Sequence, residues 1–276
     1  MKYMIRVISI ALLCIAAMPV FSQSEHDALL ICGHRGGFYN LLPENSLTAI
    51  RYTVGNCALK PVVVEVDVRK SKDGTLYILH DEAVDRTTNG NGNITTLTDA
   101  YINSLKLKTS SGMLTDESVP AFRDVLMYAK SNNVVLMLDV KDDIWKDVIS
   151  LVDEYDMARK CIALTFNPAV TAKVYSLSNV IAISFLAKDV ESWNVIQKIN
   201  IPHDNLVAYV TSATDVSLIN IIHQLKISII ADASESMRNK AMLYSVEFYR
   251  SMIQKMKLNI LITDFPVEVS KLLQQK

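Results

Sequence analysis

Glu65 and Asp67 stand two residues apart within PVVVEVDV, residues 61–68, a β-branched run of the kind that forms a strand buried on both faces. Side chains two apart on a strand share a face, so both carboxylates point the same way. Buried without a partner they would repel, and one would have to take up a proton. A divalent cation removes that conflict. Oxygen ligands at this spacing, joined by Asp139 at the end of NVVLMLDV (133–140), suit Mg²⁺ or Ca²⁺ better than zinc, which prefers His and Cys. The competing interpretation makes Glu65 and Asp67 the solvated face of an edge strand, or partners of Arg69 and Lys70; the flanking valines argue against a solvated face.

Two histidines belong with these carboxylates. His34 ends ALLICGH (28–34) and His80 ends the short run TLYILH (75–80). Imidazole titrates near neutral pH, so such a pair can divide general-acid and general-base duties. His26, His203 and His223 end no such strand and are read as structural. Arg35 follows His34 and Lys141 follows the third strand, adding positive charge at the same rim. A guanidinium fork and a lysine beside a cation describe a site for a phosphate ester, whose cleavage requires charge neutralisation and proton transfer.

These residues must be positioned by a framework, and an alternation along the chain supplies one. Eight short apolar runs, at 28–34, 61–68, 133–140, 160–166, 179–185, 205–210, 226–232 and 258–264, are separated by amphipathic segments. Helices are predicted near 43–54, 121–131, 144–155, 168–177, 190–199, 215–224, 237–257 and 266–272, with Pro43, Pro168 and Pro266 at helix starts. Strict alternation of this kind predicts an α/β fold, a (β/α)8 TIM barrel, whose active site lies at the carboxyl ends of the strands. The polar strand ends fall there. Residues 71–120 break the alternation. A turn at Asp73-Gly74 returns TLYILH against the second strand, and segments rich in Gly, Asn, Ser and Thr follow as a small insertion.

The chain has 276 residues, a formal net charge of -1, 50% apolar and 21% charged residues, enough for one large core. Charge this near neutral gives no basic field for a nucleic-acid partner. Lys2 and Arg6 precede an apolar run, 7–20, too short to span a bilayer, followed by small and polar residues. The pattern is that of a secretory signal peptide over residues 1–22, with the domain over 28–276 and no stable membrane span once the signal is removed. The mature chain is then periplasmic or secreted. Bulky Leu13 before Cys14 disfavours a lipoprotein anchor, and Cys32, Cys57 and Cys161 suggest neither a disulfide framework nor a metal spacing.

GHRG (33–36), PENS (43–46), EVDVRKSKDGTLYILHD (65–81) and DRTTNGNG (85–92), with the closing ITDFP (262–266), resemble the glycerophosphodiester phosphodiesterase family in order and spacing. The resemblance implies a TIM barrel that hydrolyses small-molecule glycerophosphodiesters to sn-glycerol 3-phosphate and an alcohol with one divalent cation. It matches His34 and His80 to the acid/base pair, Glu65 and Asp67 to metal ligands, and Arg35 to phosphate binding. Glu44 of PENS is then expected to orient Arg35 or the metal site, where otherwise it would be a charge at a helix start. The chain departs from the family pattern in Asp139-Val140-Lys141 where Glu-x-Lys is usual, in Thr165-Phe166 for Ser-Phe, and in IIADASES, which lacks the usual seventh-strand Trp.

Two other function classes fit parts of the pattern. A membrane-acting phospholipase of the phosphatidylinositol-specific or sphingomyelinase D type would show an exposed apolar rim. In KAMLYSVEFYRSMIQKM (240–256), the aromatic and Met residues fall at helical spacing and are expected to pack in the core. A barrel that binds phosphate esters without cleaving them would lack a histidine or the Glu-x-Asp pair, and this chain has both.

Overall fold

A computed structural model describes residues 29–37, 42–235 and 242–275. The signal peptide expected over 1–22, with Cys14, and His26 lie outside the described residues. Within them, eight parallel strands close into a barrel: β1 (Leu30–Gly33), β2 (Val63–Lys70), β4 (Val135–Val140), β5 (Cys161–Ala163), β6 (Ala182–Leu186), β7 (Leu206–Tyr209), β8 (Ser228–Asp232) and β9 (Ile260–Thr263). Closure comes from β1 pairing with β9 on one side and with β2 on the other. The short β3 (Leu76–Ile78) returns antiparallel against the end of β2, as the Asp73-Gly74 turn implies.

Helices cover the outside: α1 (Leu47–Asn56), α3 (Phe122–Ser131), α4 (Trp145–Glu154), α5 (Pro168–Leu177), α6 (Val190–Gln197), α7 (Val216–Gln224), α8 (Val246–Met256) and α9 (Pro266–Gln274), with α2 (Asp99–Ser104) inside the insertion. Two expectations are corrected. The first helix does not start at Pro43: the Ser46 hydroxyl accepts from the Ala49 N–H and starts it at Leu47. A serine side chain satisfies an orphan N–H, which proline cannot, and so the cap sets the boundary and leaves 43–45 free to line the site. Nor does a helix run from 237: α8 begins at Val246, capped by Ser245, and residues 242–245 are irregular.

Alternation along β2 decides which residues face which layer. Val64, Val66 and Val68 pack outward against the helices, while Val63 joins Leu30, Cys32, Met137, Ile230 and Ile262 inside the barrel. Glu65 and Asp67 share the inward phase of Val63, one and two steps nearer the carboxyl end. The insertion has a satellite core of its own around Tyr77, Val84, Ile94, Ile102 and Leu107. Cys32, Cys57 and Cys161 are buried free thiols. No described helix is long and apolar enough to cross a membrane.

Candidate active site

Strand register assembles the acidic cluster. Asp67 lies directly beside Asp139 in the β2–β4 ladder, and Glu65 sits one inward step below Asp67. Glu65, Asp67 and Asp139 each place a carboxylate oxygen within 4.8 Å of the others, the one such trio among the described residues. Neither Arg69 nor Lys70 neutralises it. Arg69 pairs with Asp142 and Lys70 with Asp147. Lys141 does: its ammonium lies 2.8 Å from Asp67 Oδ1 and 2.6 Å from Asp139 Oδ2. The lysine read as a phosphate ligand is thus engaged with the carboxylates, which raise its affinity for its proton despite burial.

Compensation within the cluster is uneven. Burial would raise Asp67, but Lys141 and Arg35 overcome it and hold the carboxyl below its ordinary value. The Glu65 carboxylate accepts from the backbone N–H of Arg35 at 2.7 Å, a neutral donor. Burial and the charge of Asp67 push it up to about 8. Such a carboxylate set, all oxygen and short of positive charge at Glu65, fits a hard divalent cation by its donor chemistry.

The loop after β1 is shaped around these groups. Arg35 has a positive φ of 51°, and Asn45 one of 52°. Conformations of this kind are unfavourable for side-chain-bearing residues and persist where surroundings impose them. Here the Arg35 N–H donates to Glu65, and the Asn45 N–H donates to the Arg35 carbonyl at 2.7 Å. Asn45 then clasps Asp67, its Nδ2 donating to Oδ2 at 2.7 Å while its Oδ1 accepts from the Asp67 N–H at 3.1 Å. Gly36, at φ 88°, completes the turn, and a Cβ there would meet Ile50 at 3.2 Å.

Each catalytic-type histidine is held by an aspartate. His34 Nδ1 donates to Asp264 Oδ1 at 2.7 Å, because β1 and β9 are in register at Gly33 and Thr263. Burial pulls the imidazole down, yet the Asp264 hydrogen bond and the charge of Glu65 prevail and lift it to about 9. Asp264 is itself fixed by its N–H donating to Glu235, whose other oxygen accepts from Thr263 and Tyr249. His80 Nδ1 donates to Asp81 Oδ1 at 2.8 Å. In both cases Nε2 is the nitrogen left for chemistry.

Arg86 ties the two halves together. Its guanidinium bonds Asp81 at 2.6 and 2.9 Å and Glu44 at 2.8 Å through each terminal nitrogen. Glu44 also accepts from Arg35 Nη1 at 3.0 Å. Burial alone would raise Glu44, but the two guanidiniums hold it below the usual carboxylate range. Glu44 therefore bonds Arg35 directly, and through Arg86 it also reaches the aspartate behind His80.

All eight residues singled out from the sequence, His34, His80, Arg35, Lys141, Glu65, Asp67, Asp139 and Glu44, thus fall at the carboxyl end of the barrel. Sequence reasoning assigned no role to Asp264, Asp81, Arg86, Asn45 or Glu235. ITDFP, HD, DRTT and PENS held the signal for four of them; Glu235 had none.

Residues 34–268 match the glycerophosphoryl diester phosphodiesterase family model. The chain belongs to that family. The human glycerophosphodiester phosphodiesterase 1 is 30% identical over 155 residues, which are 54% of this chain and 46% of that protein. The glycerophosphodiester phosphodiesterase of Caldanaerobacter subterraneus subsp. tengcongensis is 28% identical over 175 residues, 60% of this chain and 70% of that one. The match thus spans about half the length of the human relative. A glycerophosphoryl diester phosphodiesterase from Parabacteroides distasonis superposes with a TM-score of 0.81 at 24% identity, covering 92% of this chain and 88% of that one. A phosphodiesterase from Oleispira antarctica, solved with the product sn-glycerol-3-phosphate, gives 0.70 at 18% identity over 90% of this chain and 98% of its own. Both likenesses concern the TIM-barrel fold.

Proposed function

We propose that this chain hydrolyses glycerophosphodiesters to sn-glycerol 3-phosphate and an alcohol, using one divalent cation and the pair His34 and His80. The observation that carries the reading is the convergence of two aspartate-held imidazoles on a three-carboxylate cluster at the mouth of a barrel of this family. The product bound in the Oleispira antarctica relative is what that reaction releases.

Glu65, Asp67 and Asp139 would hold the cation, Mg²⁺ or Ca²⁺, which when bound neutralises phosphate charge and lowers the pKa of a water. Arg35, steadied by Glu44 and near Asp67, positions a phosphate oxygen. Lys141 keeps Asp67 ionised for ligation and bonds Asp139 beside it. The aspartates fix the Nδ1–H tautomer, so each imidazole moves a proton only at Nε2. One donates to the leaving oxygen and the other accepts from the attacking water. The export reading, periplasmic or secreted, rests on residues 1–22 and belongs to the same proposal.

The purified chain is tested on glycerophosphocholine, glycerophosphoethanolamine and glycerophosphoinositol with Mg²⁺, Ca²⁺ or EDTA, beside His34→Ala and Glu65→Ala. Release of glycerol 3-phosphate that is lost with EDTA and with either substitution supports the reading. A folded chain that turns over none of them overturns it.

One observation favours the membrane-acting alternative. Met113 and Leu114 are 53% and 51% exposed on the hairpin that lines the cavity beside His34, and Met242 and Phe248, expected in the core, are 64% and 42% exposed. Faster hydrolysis of vesicle phospholipid than of soluble glycerophosphodiesters would establish that alternative.

A further inference from the structure

A cavity of about 360 Å³ opens beside His34, walled by Arg35 and Asp264 from the barrel and by Arg86, Thr87 and Lys108 from the insertion. None of the three clustered carboxylates lines it. It therefore extends sideways from the reacting centre, and a substituent of the phosphate, not the cation-bound phosphate itself, would occupy it.

The polar groups on this wall differ in how they are satisfied. Arg86 is taken up by Asp81 and Glu44, and Arg35 by Glu44 through Nη1, although the buried Arg35 Nε has no hydrogen-bond partner and lies 3.7 Å from Asp67 Oδ2. Lys108 is half-buried and makes no ion pair or side-chain hydrogen bond among the described residues. Thr87 is 5% exposed, and its buried Oγ1 has no hydrogen-bond partner. Buried hydroxyls are rarely left so, and an unmet one on a residue that lines a cavity marks a place for a ligand. The pair is held rigidly: the Lys108 N–H donates to the Thr87 carbonyl at 2.7 Å, and Thr88 bridges Leu107, which is buried in the insertion's own core.

We propose that Lys108 and Thr87 form a subsite for a second anionic group, a carboxylate or phosphate, on the leaving alcohol of the substrate. The inference rests on the glycerophosphodiester reading above. In such a substrate the glycerol half is neutral, so an uncompensated lysine can distinguish substrates only through the other half. An ammonium and a threonine hydroxyl from two residues lining one cavity supply a charge and a donor to one oxyanion, and the ammonium repels a cationic alcohol.

Glycerophosphoserine and glycerophosphoethanolamine differ by one carboxylate and form the matched pair for the test. The expected result is a kcat/KM ratio favouring the serine substrate by roughly tenfold in the parent chain, an ordinary discrimination for one partly desolvated charge pair. Lys108→Met brings that ratio to about one, Lys108→Arg restores most of it, and Thr87→Val lowers it about threefold. An unchanged ratio in Lys108→Met overturns the subsite. So does an equal loss on both substrates, which would place Lys108 on the scissile phosphate. No turnover of either substrate by the folded parent chain overturns instead the hydrolase reading on which the subsite rests.

Discussion

Asp264 and Asp81 do the same thing to different histidines, yet their surroundings differ. Asp264 is buried and gripped by Glu235, whereas Asp81 is partly open and tied down by Arg86. Replacing Asp264 with Asn leaves the shape and removes the charge. The His34 pKa is then expected to fall from about 9 toward its ordinary 6.5, because burial, which favours the neutral ring, is then opposed only by the charges of Glu65 and Asp232. An NMR titration reads that shift directly, and kcat is expected to drop about 10–100-fold, as when a carboxylate behind a functional histidine is lost. Glu65 gives a second expectation. Held near pKa 8 without a cation, it is protonated below that pH, and cation binding must displace the proton. Calorimetric affinity for Mg²⁺ or Ca²⁺ is expected to rise by up to about tenfold per pH unit from pH 6 to 8 and to flatten above it. The acidic pair and the histidines were legible in the sequence because charges inside a valine-rich run and at apolar strand ends are conspicuous. Their supporters were not. Asp264 lies 230 residues from His34, and only the β1–β9 register joins them.

The insertion between β3 and α3 is the element on which site geometry turns. It delivers Arg86 between Glu44, ahead of α1, and Asp81, behind β3. Arg86→Gln keeps a hydrogen-bonding group but cannot span both carboxylates, and it leaves Glu44 and Asp81 less compensated. The expected outcome is a loss of kcat of about tenfold, larger than any change in KM, with Arg86→Lys recovering little because a point charge cannot replace a fork. Steady-state kinetics on one glycerophosphodiester checks it. Composition marked this region as loop, but turn-forming residues do not reveal a satellite core or a bridging arginine. The helix boundaries show a related limit. Pro43 carried a helix-start signal that Ser46 overrode, since a proline fits several backbone settings and a capping hydroxyl with a partner fits one.

At the scale of the molecule, alternation of strand and helix was enough to read the barrel, because the strands are largely apolar on both faces and only a closed parallel sheet covered by helices buries both. A cation binding the folded cluster and not the unfolded chain stabilises the whole fold. At about a hundredfold excess over Kd the gain is about 2.7 kcal/mol, and a rise in Tm of roughly 5–10 °C follows for a domain of this size. Differential scanning fluorimetry with and without EDTA measures it, and Glu65→Ala is expected to abolish the shift. Barrel closure has a further consequence in time. β1, which carries His34, is synthesised well before β9, so a nascent chain holds this imidazole without Asp264, 230 residues further on, until β9 has been made and docked. The tautomer of His34 is thus set by the closing of the barrel and not by any contact local to it in the chain.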